Sequence, residues 1–408
     1  QYNNEMHNKV KYIVNHQACL GCGLCLKSGT KSSMKLYNDG YYHPSENAFI
    51  DENMQKYCPG YGIYQKQKKS KEIEYLYGPI VAPVLAGHII NEDINFKASS
   101  GGIITGLLLT LLQNKWVDAI LQVRQSKEDP TKSEPCLSTT EEEIIDCMGS
   151  RYAPCSLFEH LDDYLATQKR LAVVGKPCDI AALKAYMKIY PEKTKNIIYT
   201  FSMMCMGLPS HNATMEMLRY LGAEGKQIAS LRYRGYGWPG MATVKTSDGY
   251  TNECTYIQSW GAILGRDTLF RCKLCPNGFG EFADISCGDA WYCKNGEPIF
   301  NNKEKGRSFI FIRTENGKKL VNQAIDKNII TAKPYNLNEM PIIQKSQYQR
   351  KTNLLSRYII YKLFINPHFK LEGFHLIKLA QIAGITSITK DARGFLGRWW
   401  RGYKGHSK

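Results

Sequence analysis

Short apolar runs alternate with amphipathic stretches along the middle of the chain. Runs bounded by turn residues predict buried strands at residues 119–123, at residues 171–174 and in the segment NIIYTFSMMCMG, which ends near Cys205. The longest apolar run, GGIITGLLLTLL at residues 101–112, predicts a buried helix, because a bilayer span needs ~20 apolar residues. Strands that alternate with helices predict an α/β core with some parallel strands.

Turn residues refine this pattern. The segment VVGKPCDIAAL predicts a strand, a Gly175–Lys176 turn and a helix that starts at Pro177, because proline suits the first helical position. The segment SFIFIRTENGKKLVNQAI predicts a strand, an Asn-Gly turn and a helix. The segment GYGWPG at residues 235–240 matches a dinucleotide-binding fingerprint in its letters. A strand and turn are predicted after it instead of a helix, so we do not expect a Rossmann site.

Charge and cysteine content divide the chain into four predicted parts. Residues 1–75 form a cysteine-rich, ferredoxin-like 4Fe-4S domain, which ends in a charged linker at residues 66–74. Residues 76–155 and 156–340 form the N-terminal and C-terminal parts of a mixed α/β core, the second of which holds a second cysteine site. Residues 341–408 form a basic helical tail. This tail carries +11 of the net charge of +16, so a protein-wide nucleic-acid surface is not expected.

The 14 cysteines are the part of the composition that says most about the chemistry of the protein. The opening residues lack the apolar region of a signal peptide, so we expect a cytoplasmic protein in which disulfides explain the cysteines poorly. Metal or redox chemistry explains them better.

A first cysteine set has the spacing of cluster ligands. Cys19, Cys22 and Cys25 are spaced as in a bacterial ferredoxin, but the Cys-Pro expected next is replaced by Gly29 and Thr30. Cys58, which precedes Pro59, is the expected fourth ligand of one 4Fe-4S cluster. A zinc site is the alternative, although zinc sites normally use two Cys-x2-Cys pairs or mixed Cys and His ligands.

A second set can be assembled from distant segments. Cys272 and Cys275 form a Cys-x2-Cys pair, and Cys178 and Cys205 are predicted at a helix start and a strand end. The helix dipole is expected to lower the pKa of the Cys178 thiol and to favour an anionic cluster. The remaining cysteines are interpreted as small apolar filler residues: Cys136, Cys147, Cys155, Cys254, Cys287 and Cys293.

Several segments together resemble the beta subunit of coenzyme F420 (deazaflavin) hydrogenases and dehydrogenases, a family whose bacterial branch is often linked to polysaccharide biosynthesis. The resemblance covers about residues 78–315 and excludes the last ~70 residues. Its segments are SSGGIITGLL, GSRYAP, AVVGKPCDIAAL, CMGLPS, LRYRGYGWPG and RCKLCPNGFGEFADISCGDAW.

The resemblance implies a 4Fe-4S cluster on Cys178, Cys205, Cys272 and Cys275 beside an FAD, with a second 4Fe-4S cluster on the N-terminal set. It also implies flavin contacts, in which glycines let the backbone approach the ligand at a helix start. Arg151 and Lys176 are expected to meet the pyrophosphate or an anionic substrate, and Trp291 to pack against cluster and flavin. The implied cofactor-binding residues are Ser100, Gly101, Gly102, Thr105, Gly149, Ser150, Arg151, Tyr152, Lys176, Gly288 and Asp289.

Three functions follow as hypotheses. The first is an iron–sulfur flavoprotein that reduces a small molecule, such as an activated or lipid-linked sugar, with electrons from a ferredoxin-type donor. The second is an electron-transfer subunit that oxidises reduced deazaflavin for a larger complex. The third is a zinc-stabilised binding module. No catalytic acid–base residue is assigned.

The basic tail has two interpretations. It is either a pair of helices packed on the core with a solvated basic end, or an interfacial anchor at the inner face of an anionic membrane. The second follows from the mixture of aromatic and basic residues near its end: Phe395, Arg398, Trp399, Trp400, Arg401 and Lys404.

Overall fold

The computed structural model describes residues 2–27, 33–67, 69, 71–300 and 304–403. Gly29, Thr30 and Lys404, which the sequence analysis singled out, lie outside this part of the chain.

The strands are numbered in chain order. They are β1 (Met34–Leu36), β2 (Tyr42–Pro44), β3 (Gly62–Tyr64), β4 (Leu85–Ile89), β5 (Ala119–Gln125), β6 (Ser133–Ser138), β7 (Leu171–Gly175), β8 (Ile197–Met203), β9 (Ile228–Arg232), β10 (Met241–Thr246), β11 (Thr251–Thr255), β12 (Ile285–Asp289), β13 (Cys293–Lys294), β14 (Glu297–Pro298), β15 (Ser308–Ile312), β16 (Ile330–Pro334) and β17 (Lys370–Glu372).

The α-helices are numbered in the same way. They are α1 (Tyr2–Asn15), α2 (Met54–Tyr57), α3 (Glu72–Tyr77), α4 (Glu92–Lys97), α5 (Ile103–Gln113), α6 (Glu141–Asp146), α7 (Leu161–Ala166), α8 (Pro177–Ile189), α9 (His211–Tyr220), α10 (Glu315–Asp326), α11 (Met340–Ile343), α12 (Lys345–Thr352), α13 (Leu354–Phe364), α14 (Leu376–Ala383) and α15 (Ile385–Arg398). Short 3-10 helices occupy Phe270–Leu274 and Leu337–Glu339, and π-helical turns occupy Ile257–Leu264 and Trp399–Tyr403.

An eight-stranded sheet forms the centre of the protein, in the order β16-β4-β15-β12-β8-β7-β5-β6. The four strands β12, β8, β7 and β5 are parallel, and the strands on either side of them pair antiparallel. The predicted mixed α/β fold is therefore confirmed. The carboxyl ends of the four parallel strands meet at one edge of the sheet, where ligand sites of open α/β sheets are found.

Successive side chains of the strands alternate between the two faces of this sheet, and a hydrophobic core covers each face. Ile120 and Ala172 face a core that includes residues of α5 and α10, such as Leu107 and Leu320. Leu121 and its neighbours on β7 face a second core formed with α8 and the N-terminal segment. Because successive side chains of a strand point to opposite faces, one short apolar run supplies both cores.

The predicted strands and helices of the core are confirmed, with two corrections. Asn316 and Gly317 form no turn of their own, because Thr314 caps α10 by accepting a hydrogen bond from the Gly317 amide. Residues 66–74 are not a free linker where they are described. Lys69 is buried in an ion pair with Glu281, and α3 begins at Glu72.

The basic tail is part of the folded body. Its strand β17 pairs parallel with β3 of the N-terminal segment, and Phe395 packs at a ring distance of 5.2 Å on Phe270. The basic residues Arg350, Lys351 and Arg357 are buried, as packing of the tail on the core requires, whereas Arg398 and Arg401 near its end are exposed. Among the described helices, none combines the length and the apolar character needed to cross a bilayer.

Candidate functional site

A cavity of about 340 Å³ opens at the carboxyl edge of the parallel strands. This volume is in the range of small-molecule sites. Trp291 lines the cavity, and so do ten of the eleven predicted cofactor-binding residues: Ser100, Gly102, Thr105, Gly149, Ser150, Arg151, Tyr152, Lys176, Gly288 and Asp289.

Gly101, the eleventh, belongs to the packing between the start of α5 and the sheet. Its amide donates to the Ser308 hydroxyl at 2.8 Å, and an added Cβ would lie 2.6 Å from the Gly87 oxygen. Gly102 has a positive φ of 69°, and its added Cβ would lie 2.7 Å from Ile89. The structure therefore requires glycine at both positions to admit the neighbouring strands.

Arg151 is placed at the cavity, but its guanidinium group has other partners. It donates to the backbone oxygens of Pro130, Lys132 and Leu231 at 2.9 to 3.2 Å, and it packs over the Tyr233 ring. The expectation that this guanidinium meets a pyrophosphate is wrong, because its hydrogen-bonding capacity already holds the loop between β5 and β6 and the strand β9 together.

Lys176 lies between two cavities and lines both. Its Nζ donates to Asp179 at 2.7 Å. Burial alone would lower the pKa of Lys176, but the Asp179 carboxylate and the Cys178 sulfur outweigh burial and raise it. Lys176 is therefore held as a cation beside the cysteines.

Sequence reasoning missed a buried ion pair in the cavity wall. Arg234 donates to the Asp289 carboxylate at 2.8 and 3.1 Å, and Trp238 donates to the same group at 2.9 Å. Arg234 and Trp238 belong to the segment LRYRGYGWPG, whose resemblance to the family could have indicated a role at the site. The strand β10 follows this segment, so the prediction against a Rossmann fingerprint is confirmed.

The second cysteine set comes together in three dimensions. Cys178, Cys205, Cys272 and Cys275 line a small cavity next to the larger one, and Cys205 lines both. They are supplied by the first turn of α8, the loop after β8 and the 3-10 helix with its C-cap.

Backbone and cationic groups surround this second set. The Leu208 amide donates to the Cys272 sulfur at 3.4 Å. Arg350 of α12 donates to the backbone oxygens of Cys205 and Met206, at 2.5 and 3.0 Å. The site is therefore closed partly by the tail, which the family resemblance did not cover.

Burial raises the pKa of thiols in both sets. It raises the pKa of Cys205 to about 12 and that of Cys58 to about 11. The expectation for Cys178 has the wrong sign, because burial, followed by the neighbouring Asp179 carboxylate, raises the pKa of its thiol well above the usual value. Buried thiols of this kind ionise when a metal binds them.

The N-terminal cysteines are also neighbours. Cys19, Cys22 and Cys58 each act electrostatically on Cys25, and backbone amides near Gly60 and Tyr61 point at the Cys58 sulfur. Within the described residues, no three His, Cys, Asp or Glu side chains converge closely enough to hold a single metal ion. A cubane cluster is larger than one ion, so its four ligands stand farther apart than those of a single ion.

The two cysteine sets adjoin each other. Leu20, between two N-terminal cysteines, packs in one small cluster with Cys272 and Cys178. Buried Arg271 precedes Cys272 and donates at 3.4 Å to the oxygen of Pro59, the residue after Cys58. The second cysteine set therefore adjoins both the N-terminal set and the large cavity.

The other cysteines divide into three groups. Cys155, Cys254 and Cys287 are buried, as expected of filler residues. Cys293 is exposed, so that interpretation is wrong for it. Cys136 and Cys147 contact each other, with their sulfurs 3.2 Å apart, so they are not isolated fillers.

Comparison with known proteins identifies related chains. Two family models match: residues 84–162 match the N-terminal model of the coenzyme F420 hydrogenase/dehydrogenase beta subunit, and residues 168–337 match the C-terminal model. The curated coenzyme F420 hydrogenase subunit beta of Methanococcus voltae is 26% identical over 65% of this chain and 90% of that protein.

Two further proteins extend this comparison. One of the F(420)H(2) dehydrogenase subunits of Methanosarcina mazei is 21% identical over 81% of this chain and 88% of its own length. A chain of the F420-reducing [NiFe] hydrogenase complex from Methanosarcina barkeri shares the fold with a TM-score of 0.55, at 19% identity. That match covers 73% of this chain and 97% of the solved one.

The packing of Gly102 gives a testable prediction. Gly102→Ala should lower the free energy of unfolding by ~1–2 kcal/mol from the positive φ, and by a further ~1–3 kcal/mol from overlap with Ile89. Gly249→Ala is the matched control, because Gly249 has a φ of 88° and no described atom within 4 Å of its added Cβ. Equal losses in urea unfolding would show that the Ile89 contact contributes nothing.

Proposed function

Because this chain belongs to the coenzyme F420 hydrogenase/dehydrogenase beta-subunit family, we propose that it is an iron–sulfur flavoprotein oxidoreductase that exchanges electrons with a deazaflavin coenzyme. The observation that carries the proposal is the order of the sites. The large cavity meets the second cysteine set at Cys205, and that set meets the N-terminal set at Leu20 and Arg271. A two-electron site would thus connect to two one-electron sites in sequence.

FAD is the proposed occupant of the large cavity, where it would supply both hydride and single-electron transfer. The cavity residues named above would hold it, except that Arg151 would act by fixing the surrounding loops and not through its guanidinium group. One observation supports a ligand here: among the described residues, the Oδ1 atom of buried Asp179 has no hydrogen-bond partner and belongs to the cavity wall. A carboxylate oxygen of this kind accepts an N–H or O–H from a ligand.

A 4Fe-4S cluster is proposed for each cysteine set. Cys178, Cys205, Cys272 and Cys275 would hold one, and Cys19, Cys22, Cys25 and Cys58 the other. The donor chemistry supports this proposal, since thiolates are the usual ligands of such clusters and amides directed at the sulfurs stabilise their charge. The guanidinium groups of Arg350 and Arg271 add positive charge beside buried sulfurs.

The names of the relatives favour deazaflavin over an activated sugar as the two-electron partner. They include subunits of an F420 hydrogenase and of an F420H2 dehydrogenase. The one-electron partner is then a ferredoxin-type carrier or another subunit of a larger complex. If the chain instead reduces a different small molecule, including one from polysaccharide biosynthesis, that molecule replaces deazaflavin as the two-electron partner.

Metal analysis tests the cluster assignment. The anaerobically purified chain should contain about eight iron and eight sulfide per chain, because each set holds one cubane. Cys272→Ser should lose about half of both. Cys254→Ser is the control, since Cys254 is equally buried but lies in another core. Stoichiometric zinc without sulfide would contradict the proposal and favour the zinc-stabilised module.

Anaerobic reduction tests the partner and the order of the sites. Reduced deazaflavin coenzyme should bleach the bound flavin and then reduce methyl viologen through the clusters. Cys272→Ser should keep the flavin bleaching but lose most of the viologen reduction, because the proposed route from the cavity to the N-terminal set passes through the second cysteine set. If dithionite bleaches the flavin but reduced deazaflavin does not, the deazaflavin assignment is wrong.

We further propose that the tail binds an anionic membrane surface. Leu363, Phe364 and Trp400 expose 71%, 56% and 62% of their surface. The Phe364 and Trp400 rings lie 5.8 and 6.2 Å from the ring of Trp399 between them. Exposed Arg398 and Arg401 flank these rings in sequence. Aromatic rings at headgroup depth with basic neighbours are typical of interfacial anchors.

Co-sedimentation with vesicles tests this anchor. The full chain should bind vesicles with anionic lipid and not neutral ones, and Leu363→Ser/Trp400→Ser should lose that binding. Substitution is used in place of a shortened chain, because Phe395 is wholly buried and a chain ending before it would lose part of the core. Ile257→Ser, which alters an exposed apolar residue elsewhere, is the control. Equal binding by the double variant would leave only the packed-helix interpretation.

A further inference from the structure

Two cysteines outside both four-cysteine sets form a contact pair. Cys136 lies on β6 and Cys147 is the C-cap of α6, and their sulfurs are 3.2 Å apart. A disulfide bond is ~2.0 Å long, so the two sulfurs are already close to bonding distance. Neither residue belongs to the proposed cluster ligands.

The local fold holds this pair in place. The strand β6 is fixed by six residue pairs with β5, in which Cys136 faces Gln122. A capping box formed by Thr140 and Glu143 starts α6 immediately after this strand and turns the chain back. The Ser138 hydroxyl connects β6 to α6, since it donates to the backbone oxygen of Glu143. It lies 3.9 Å from the Cys136 sulfur and 3.8 Å from the Cys147 sulfur.

The surroundings shift the pKa values of the two thiols in opposite directions. A hydrogen bond from Cys147, with smaller effects of Ser138 and the Arg124 cation, lowers the pKa of Cys136 despite its burial. The hydrogen bond to Cys136, followed by burial and by the charge of a Cys136 thiolate, raises the pKa of Cys147. A thiolate beside a protonated thiol is the arrangement that disulfide formation requires.

Cys147 also connects the pair to the large cavity. It lines the cavity together with the residues that follow it, Met148, Gly149 and Ser150. The Ser150 amide donates to the Ser99 hydroxyl across the cavity wall at 2.7 Å. A bond between the two sulfurs would therefore tie this wall segment to β6 and the central sheet.

We propose that Cys136 and Cys147 form a reversible disulfide at the cavity wall, with hydrogen peroxide as the oxidant. The Cys136 thiolate attacks the peroxide, the O–O bond breaks and a sulfenic acid forms. The leaving hydroxide takes up from solvent the proton that Cys136 had released, which gives one water. The Cys147 sulfur then displaces the sulfenic hydroxyl, which leaves as a second water. Two thiols and one peroxide thus give one disulfide and two waters, and a dithiol reductant restores the thiols. The proposal is independent of the deazaflavin, flavin and cluster assignments.

Peptide mapping of the full chain tests the pair directly. Trypsin releases both cysteines in one peptide, residues 133–151, because Lys132 and Arg151 flank it with no Lys or Arg between. The reduced protein, alkylated under denaturing conditions, should carry two alkyl groups on this peptide. After treatment with peroxide, most of the peptide should carry none and weigh two hydrogens less. Dithiothreitol before alkylation should restore both groups.

Two variants make the result specific. Cys155→Ser should leave the loss of both alkylation sites unchanged, although Cys155 lines the same cavity. In Cys147→Ser, Cys136 should show sulfenic acid or further oxidation, and no loss of two hydrogens from this peptide. The proposal is overturned if the peptide stays doubly alkylated in peroxide that oxidises other cysteines. It is also overturned if Cys147 is cross-linked to the Cys155 peptide, residues 152–169.

Discussion

Burial of charge at the edge of the central sheet is the constraint on which the surrounding structure depends. A buried cation is tolerated only when a carboxylate, a carbonyl or a sulfur compensates it. Arg350 donates hydrogen bonds to carbonyls of the loop after β8, and Arg234 forms an ion pair with the carboxylate of Asp289. These pairs fix the loops that carry the cysteines and line the cavity. The position of the site therefore follows from how its charges are paired.

The same constraint joins the two ends of the chain to the core. Glu281 lies between Lys69, before α3, and Lys351, on α12. Burial alone would raise the pKa of Glu281, but the two ammonium groups lower it to about 2. One carboxylate thus holds segments that are 282 residues apart in sequence. The tail is retained by this pairing and by the β17–β3 contact, so it contributes to the second cysteine site although it lies outside the family resemblance.

Exposed and buried parts of the tail have different roles. Its inner face supplies Arg350, Lys351 and Phe395 to the protein interior, while Leu363, Phe364 and Trp400 remain exposed. The first group explains why the tail folds on the core. The second group is the basis of the proposed membrane contact. The tail can serve both purposes because the two groups lie on different elements: Arg350 and Lys351 on α12, Leu363 and Phe364 at the end of α13.

The sequence by itself determined the strand and helix order of the core, the start of α8 at Pro177 and the mixed α/β class. Those features depend on local periodicity and on the fixed φ of proline, which are properties of neighbouring residues. It also singled out the N-terminal cysteines and Cys58. The tertiary structure alone decided the use of each side chain. It turned Arg151 towards backbone carbonyls, reversed the expected pKa shift of Cys178 and brought Cys136 to Cys147. Burial and long-range partners set these outcomes, and neither is encoded in the spacing of residues along the chain.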